Sequence, residues 1–176
     1  MQIKGPGQRF HSAIDLRGTG FCACFNSRKT ARAVTQLYDA AMQPSGIRTT
    51  QFAVLVGVAK TEPVSIGRLG EVLIIDRTTL TRSLRLMQRQ KLLSISPRST
   101  MRQRFVTLSL KGWRALARSL PYWRRIQGEF VDRIGQDFWT SMQRAMERVA
   151  SAALDLQASR RPLTSRHDYG GKTLAE

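Results

Sequence analysis

The sequence predicts a mainly α-helical chain with a small β-hairpin, an α+β fold in which two short helices and the hairpin lie between longer helices. Three observations carry this. Residues 76–91, DRTTLTRSLRLMQRQK, combine a helix cap, an apolar stripe and a basic face. Residues 93–96 and 104–109 each alternate apolar and polar side chains around a basic, turn-like segment at 97–103, as the arms of a hairpin do. On both sides of this region, apolar residues recur at spacings of three and four over long stretches, which is the periodicity of amphipathic helices.

Taken in order, residues 1–20 contain Gly5, Pro6, Gly7, Gly18 and Gly20 with only scattered apolar residues, and are expected to form a flexible arm. Cys22 and Cys24 follow, the only cysteines. At a spacing of two they point to different sides of a helix, and on a strand their Cα atoms would lie about 7 Å apart, too far for an easy disulfide. The expectation is that they are buried as small hydrophobes, with a redox role as the alternative. From Asn26 or Ser27 to Met42, the positions Ala31, Val34, Tyr38 and Ala41 have helical spacing, and Pro44-Ser45-Gly46 ends the helix. Thr49 is expected to cap a second helix that turns Phe52, Leu55, Val56 and Ala59 inward and stops at Thr61-Glu62-Pro63.

Ser65 caps a short third helix with Ile66, Leu69 and Val72 or Leu73 inward, leaving a tight connection before Asp76. The Asp76 carboxylate suits the N-cap of the next helix, where it meets orphan N–H groups and the positive end of the helix. Leu80, Leu84 and Met87 then form an apolar stripe, while Thr78, Thr81, Arg82, Arg85 and Arg89 occupy the opposite face. Two short helices joined by a tight turn make a helix-turn-helix. The basic face of its second helix suits phosphates and base edges, since arginine can pair bidentately with guanine and threonine can touch the thymine methyl. Arg77 and Thr79 in the first turn join the candidate contacts. The hairpin adds Arg98 and Arg102 at its tip and Arg104 beside it, placed for a narrow minor groove or for phosphate.

After the hairpin, Ser109 can cap a long helix with a stripe of Trp113, Leu116, Leu120, Trp123, Phe130 and Ile134. Pro121 removes one backbone bond, so a bend is expected near Ala117 to Leu120. Beyond Gly135, the positions Phe138, Met142, Ala145, Met146, Val149, Ala153 and Leu156 mark a last amphipathic helix. These stripes exceed what so small a central unit can cover, and a twofold partner would bury them, which predicts a homodimer. Residues 158–176 read as a disordered basic tail.

A length of 176 residues and a hydrophobic content of 41% allow one domain with a real core, plus tails. The net charge of +17 and pI near 11.5 favour a polyanionic partner, either nucleic acid or an anionic membrane. The longest uncharged apolar run, about Phe52 to Ala59, is far short of the roughly 20 residues that span a bilayer. The first ten residues have no apolar segment of the secretory kind, so the cytoplasm is the expected location. His11 and His167 lie in the expected tails. No paired carboxylates, nucleophile-base spacing or glycine-rich phosphate loop stands out, so neither an enzyme nor a bound metal or cofactor is expected.

Several segments together resemble the MarR family of winged helix-turn-helix bacterial transcription regulators. Asp76-Arg77-Thr78-Thr79-Leu80-Thr81-Arg82 is similar to the start of that family's recognition helix. Lys91-Leu92-Leu93 resembles its turn into the wing, and Val106-Thr107-Leu108-Ser109-Leu110-Lys111-Gly112 the strand returning from it. Phe25 to Asp39 and Thr49 to Leu55 resemble its first two helices. The resemblance covers roughly residues 22–157 and sets the expected organisation. In it, an arm at 1–20 precedes a domain at 21–157, with a reading head at about 47–110, dimerisation helices at about 22–43 and 110–157, and a tail at 158–176.

The resemblance implies a homodimeric repressor of a palindromic operator on double-stranded DNA. It also implies release by a small aromatic or phenolic effector held between the head and the dimer helices, with Phe25, Arg28, Phe52 and Trp113 as candidate lining. Some relatives sense oxidants through an N-terminal cysteine, which keeps Cys22 and Cys24 as candidates for a redox-sensing regulator. Charge alone would also satisfy a sequence-independent architectural or RNA-binding protein. Two departures stand out: Thr100-Met101-Arg102 replaces the usual Asp-x-Arg of the wing, and Ile74 stands where the turn before the recognition helix often has glycine. A β-branched residue in a left-handed turn would be strained.

Overall fold

The computed structural model describes residues 15–98 and 101–160; the expected arm up to residue 14, the hairpin tip at 99–100 and the tail from 161 lie outside the described residues. The fold divides after Ile126 into two units.

The first unit opens with a single 3-10 turn, Thr19–Phe21, and helix α1, Ala23–Met42. The helix starts earlier than the Asn26 or Ser27 expected from sequence. Cys22 occupies its N-cap position, and the Asn26 amide donates to the carbonyls of Gly20 (2.8 Å) and Cys22 (3.0 Å), tying the turn to the helix. Every residue from Asp15 to Ala33 is exposed, and burial begins only towards the other end of α1, at Tyr38 and Met42.

Helix α2, Thr49–Thr61, is capped by Arg48 and not by Thr49. The shift has a tertiary cause. Asp39 of α1 accepts the Thr49 N–H at 2.7 Å, so Thr49 sits inside the helix, while the Gln51 side chain accepts the Arg48 N–H at 3.1 Å. Beyond α2, Val64–Ser65 forms a short strand, β1, which is absent from the sequence reading because two residues cannot display an alternation. It pairs antiparallel with β3, Met101–Leu108, placing Val64 opposite Val106. Strand β2, Leu93–Arg98, covers the other edge of β3, so the expected hairpin becomes a three-stranded sheet in the order β1-β3-β2. Its strands run further towards the tip than expected, with a register shift at Pro97/Arg98. The Glu62 carboxylate accepts the Leu108 N–H at 2.8 Å, fastening the end of α2 to the sheet.

Helix α3, Ile66–Leu73, has Ser65 as its cap, with the hydroxyl accepting the Arg68 N–H at 3.1 Å. Leu69 is fully buried and Leu73 packs against the core, whereas Val72 is exposed, which settles the choice between the last two. Helix α4, Arg77–Arg89, follows. The core of this unit joins Met42, Leu55, Leu69, Leu80, Leu84, Met87 and Val106, each with no accessible surface, to Ala115 and Leu116 of helix α5, Leu110–Ile134. At the start of α5 the Ser109 hydroxyl accepts the Gly112 N–H (3.0 Å) and donates to the Lys91 carbonyl (2.6 Å), so one side chain both caps α5 and ties it to the end of α4. The helix remains continuous through Pro121.

The second unit holds the last turns of α5 and helix α6, Gln136–Ser159, joined at Gly135 with φ +88°. Phe130 and Trp139 meet edge to face at 6.3 Å across this turn. No residue of α6 is buried, and Phe138, Met146, Val149, Leu154 and Leu156 are all exposed. None of the described helices is long and apolar enough to cross a membrane.

Candidate nucleic-acid interface

Helices α3 and α4 are joined by a tight turn whose geometry comes from the end of α3. The Ile75 N–H reaches back to the Gly70 carbonyl (2.9 Å) and the Ile74 N–H to Glu71 (3.2 Å), the paired bonds of a Schellman ending. Such an ending puts its middle residue in the left-handed region, and Ile74 is there at φ +51°, ψ +46°. The turn therefore keeps its left-handed shape despite the isoleucine, at a steric cost usually avoided with glycine. Helix α4 ends the same way. Leu92 N–H bonds to Met87, Lys91 N–H bonds to Gln88, and Lys91 is left-handed at φ +59°.

At the start of α4, one Asp76 carboxylate oxygen accepts the N–H groups of Thr78 (3.0 Å) and Thr79 (2.9 Å). The Thr79 hydroxyl, followed by the Thr79 N–H, holds this carboxyl below the ordinary carboxylate range. Leu80, Leu84 and Met87 point into the core, which fixes the rotation of the helix about its axis. The opposite face is a shallow open groove lined by Arg77, Thr78, Thr81, Arg82, Arg85 and Arg89. These six of the sequence-predicted residues are thus brought together. Thr79, also predicted, is absent from the groove lining and is engaged at the cap.

None of the four arginines of the groove forms an ion pair among the described residues. Their donors are left for an external acceptor. Arg104 on β3 is exposed and shares a second crevice with Thr81, Arg85 and Gln88 of α4, so the wing strand and the helix face adjoin. Sequence reading missed Gln88 and Ile66 as walls of this crevice, because only the packing of sheet on helix creates it. Arg98 and Arg102 flank the tip on β2 and β3; their side chains lie outside the described residues.

The candidate effector residues fall in different settings. Phe25 and Arg28 are exposed on α1, Trp113 is 43% exposed on the first turn of α5, and Phe52 is buried and stacked on Trp123 with ring centroids 5.9 Å apart. Cys22 and Cys24 are free and exposed, against the expectation of burial, because they lie at the start of α1, where every residue up to Ala33 is exposed among the described residues. Among the described residues no group of three or more His, Cys, Asp or Glu could hold a metal ion.

A capped helix presenting arginine and threonine beside a β-wing defines a winged helix-turn-helix domain of the DNA-reading class. No family model and no curated protein matches the sequence, but solved structures do. The chain is similar to the Mycobacterium tuberculosis transcriptional regulator MosR, crystallised with DNA, at 33% identity and TM-score 0.72, over 80% of this chain and 99% of that one. It shares the fold of PcaV from Streptomyces coelicolor, solved with its natural ligand, at 21% identity and TM-score 0.69, over 80% and 97% of the two chains. It also shares that of AbsC from the same organism, a MarR family regulator, at 18% identity and TM-score 0.67, over 81% and 99%. The chain belongs to the MarR family of transcription regulators.

Proposed function

We propose that this protein is a sequence-specific, DNA-binding transcription regulator, a homodimeric repressor that occupies a palindromic operator and thereby excludes polymerase. The carrying observation is the α4 groove, where four arginines without ion pairs and two threonines face outward from a helix fixed by a buried stripe and an aspartate cap. Arg77, Thr78, Thr81, Arg82, Arg85 and Arg89 are the proposed major-groove contacts, Thr79 acts through the cap, and Arg98, Arg102 and Arg104 are the proposed wing contacts. The proposed partner surface is made by α1, the later part of α5, and α6, since the exposed apolar residues of α6 and of the chain around Phe21 and Phe25 need cover. The domain organisation that follows is a reading head of about 47–110 between dimerisation helices. The chain acts by binding and not by catalysis, and its place is the cytoplasm, with the DNA.

PcaV was solved with its natural ligand and CouR from Rhodococcus jostii with p-coumaroyl-CoA. By analogy, a small aromatic or phenolic effector releases this protein from DNA, with Phe25, Arg28 and Trp113 the accessible candidates to touch it. Two rival readings have specific support: the net charge of +17 suits a sequence-independent binder, and exposed Cys22 and Cys24 suit a redox-sensing regulator. Fluorescence anisotropy against a site selected from genomic DNA, random duplex and RNA, at several salt concentrations, tests the first. Equal affinity for all three at about 0.15 M salt overturns the regulator reading. Peroxide that releases the native protein but spares the Cys22→Ser/Cys24→Ser variant establishes the second.

A further inference from the structure

Residues 77–128 contain thirteen arginines or lysines and not one aspartate or glutamate. Six of these cations fall outside the α4 groove and the wing, and three of the six, Lys111, Arg114 and Arg118, come together. Spaced by three and four on α5, they share one helix face and line a cavity of about 360 Å³ between the end of α4 and the turn after α1. Its apolar walls include Ile47 and Leu92, both almost fully buried. Arg118 is already set in place, with Nε donating to the Ser45 carbonyl at 3.1 Å. Gln90 lines the cavity too, and its Oε1 accepts from the Gln51 amide at 2.9 Å, which leaves the Gln90 NH₂ as the group available to donate.

This arrangement is unfavourable by itself. Like charges three and four apart on a helix repel, and Lys111 adds a cation to the first turn of α5, where the positive end of the helix already lies. No carboxylate among the described residues forms an ion pair with any of the three. An ammonium, two guanidinium forks and an amide donor around one concavity match a group with several anionic oxygens, for which arginine is geometrically suited.

We propose that Lys111, Arg114, Arg118 and Gln90 form a phosphate-binding pocket distinct in its residues from the α4 groove. Gln90 caps the end of α4 and Leu92 closes its Schellman ending, so an occupant would brace the end of the recognition helix opposite Asp76. The phosphate could come from a DNA backbone flanking the operator or from a phosphorylated small molecule; the recognising chemistry is the same.

The test uses the full-length protein and a Lys111→Gln/Arg114→Gln variant, both positions being exposed, with circular dichroism to verify the fold and Arg114→Lys as a charge-keeping second variant. Inorganic pyrophosphate is titrated calorimetrically at constant ionic strength. Saturable binding that weakens about tenfold or more in the double variant and is retained in Arg114→Lys supports the pocket and a free phosphorylated ligand. In the second arm, salt-dependent affinity is measured on a duplex of the selected site alone and on one extended at both ends. A loss confined to the extended duplex, with the salt slope reduced by about one per cation removed, assigns the phosphate to DNA. Pyrophosphate binding and both duplex affinities unchanged in the double variant would overturn the proposal. The pyrophosphate arm does not depend on operator recognition, so its failure is distinguishable from failure of the regulator reading.

Discussion

Gly112 packs its bare Cα against the backbone of Leu92 so closely that a Cβ there would overlap the Leu92 carbonyl oxygen and lie 3.0 Å from its carbon. The same carbonyl accepts the Ser109 N–H at 3.1 Å, so the start of α5 and the turn into the wing are locked backbone to backbone. Gly112→Ala should therefore destabilise by about 1–3 kcal/mol, the usual range for overpacking where neither side can yield. Gly128→Ala, on the same helix with open space around it, should be neutral or stabilising by about 0.5–1 kcal/mol. Urea denaturation of the two variants checks the contrast, and equal effects would contradict it.

Ile74 holds a left-handed conformation that costs an L-residue with a Cβ roughly 1–2 kcal/mol, and its side chain is 59% exposed, so little packing is lost on removing it. Ile74→Gly should stabilise the protein by up to about 1 kcal/mol after glycine's own backbone entropy is charged. Ile74→Ala keeps the Cβ and should give no such gain. Denaturation midpoints at matched slopes decide between them.

Asp76 links stability to pH. Its folded-state pKa is lowered, chiefly by the Thr79 hydroxyl, so its contribution is complete above the unfolded carboxylate value of about 4 and disappears as pH falls through the lower folded value. Asp76→Asn keeps an acceptor at the cap but has no carboxylate to titrate. The variant should be less stable than the native protein at neutral pH, and the two should converge in acid. Thermal midpoints from pH 7 down to pH 3 measure this, and parallel curves would refute it.

Arg82→Ala or Arg85→Ala should cost about 1–3 kcal/mol at a selected operator and far less on random duplex, because a base-reading arginine discriminates between sequences. Arg104→Ala, removing a proposed phosphate contact, should weaken every duplex alike and lower the salt slope by about one. Anisotropy titrations at three salt concentrations separate the two patterns. Uniform losses from all three variants would remove base reading by α4.

The exposed apolar residues of α6 give the dimer a direct test. Met146→Glu with Val149→Glu places two charges on that face. Light scattering should show a dimeric mass for the native protein at micromolar concentration and a monomeric one for the variant, with operator affinity lost along with the paired half-sites. A native protein that is already monomeric would contradict the proposed partner surface.

What the sequence determined by itself was local. The caps at Ser65, Asp76 and Ser109 were legible because each is a side chain bonding to backbone within a few residues. The inward stripe of Leu80, Leu84 and Met87 was legible because burial on one face imposes its period on the residues. With those settled, the arginine and threonine face had one direction left to point. Tertiary structure decided whatever depends on a distant partner. Val64 becomes a strand only beside Val106, and α2 begins where Asp39 supplies an acceptor. Cys22 and Cys24 are exposed because α1 extends past the core. Ile74 is left-handed because the backbone bonds that close α3 prevail over its side-chain preference. The pocket of Lys111, Arg114 and Arg118 was half legible, since their spacing puts them on one face, but only the packing of α5 against the end of α4 shows that the face is concave.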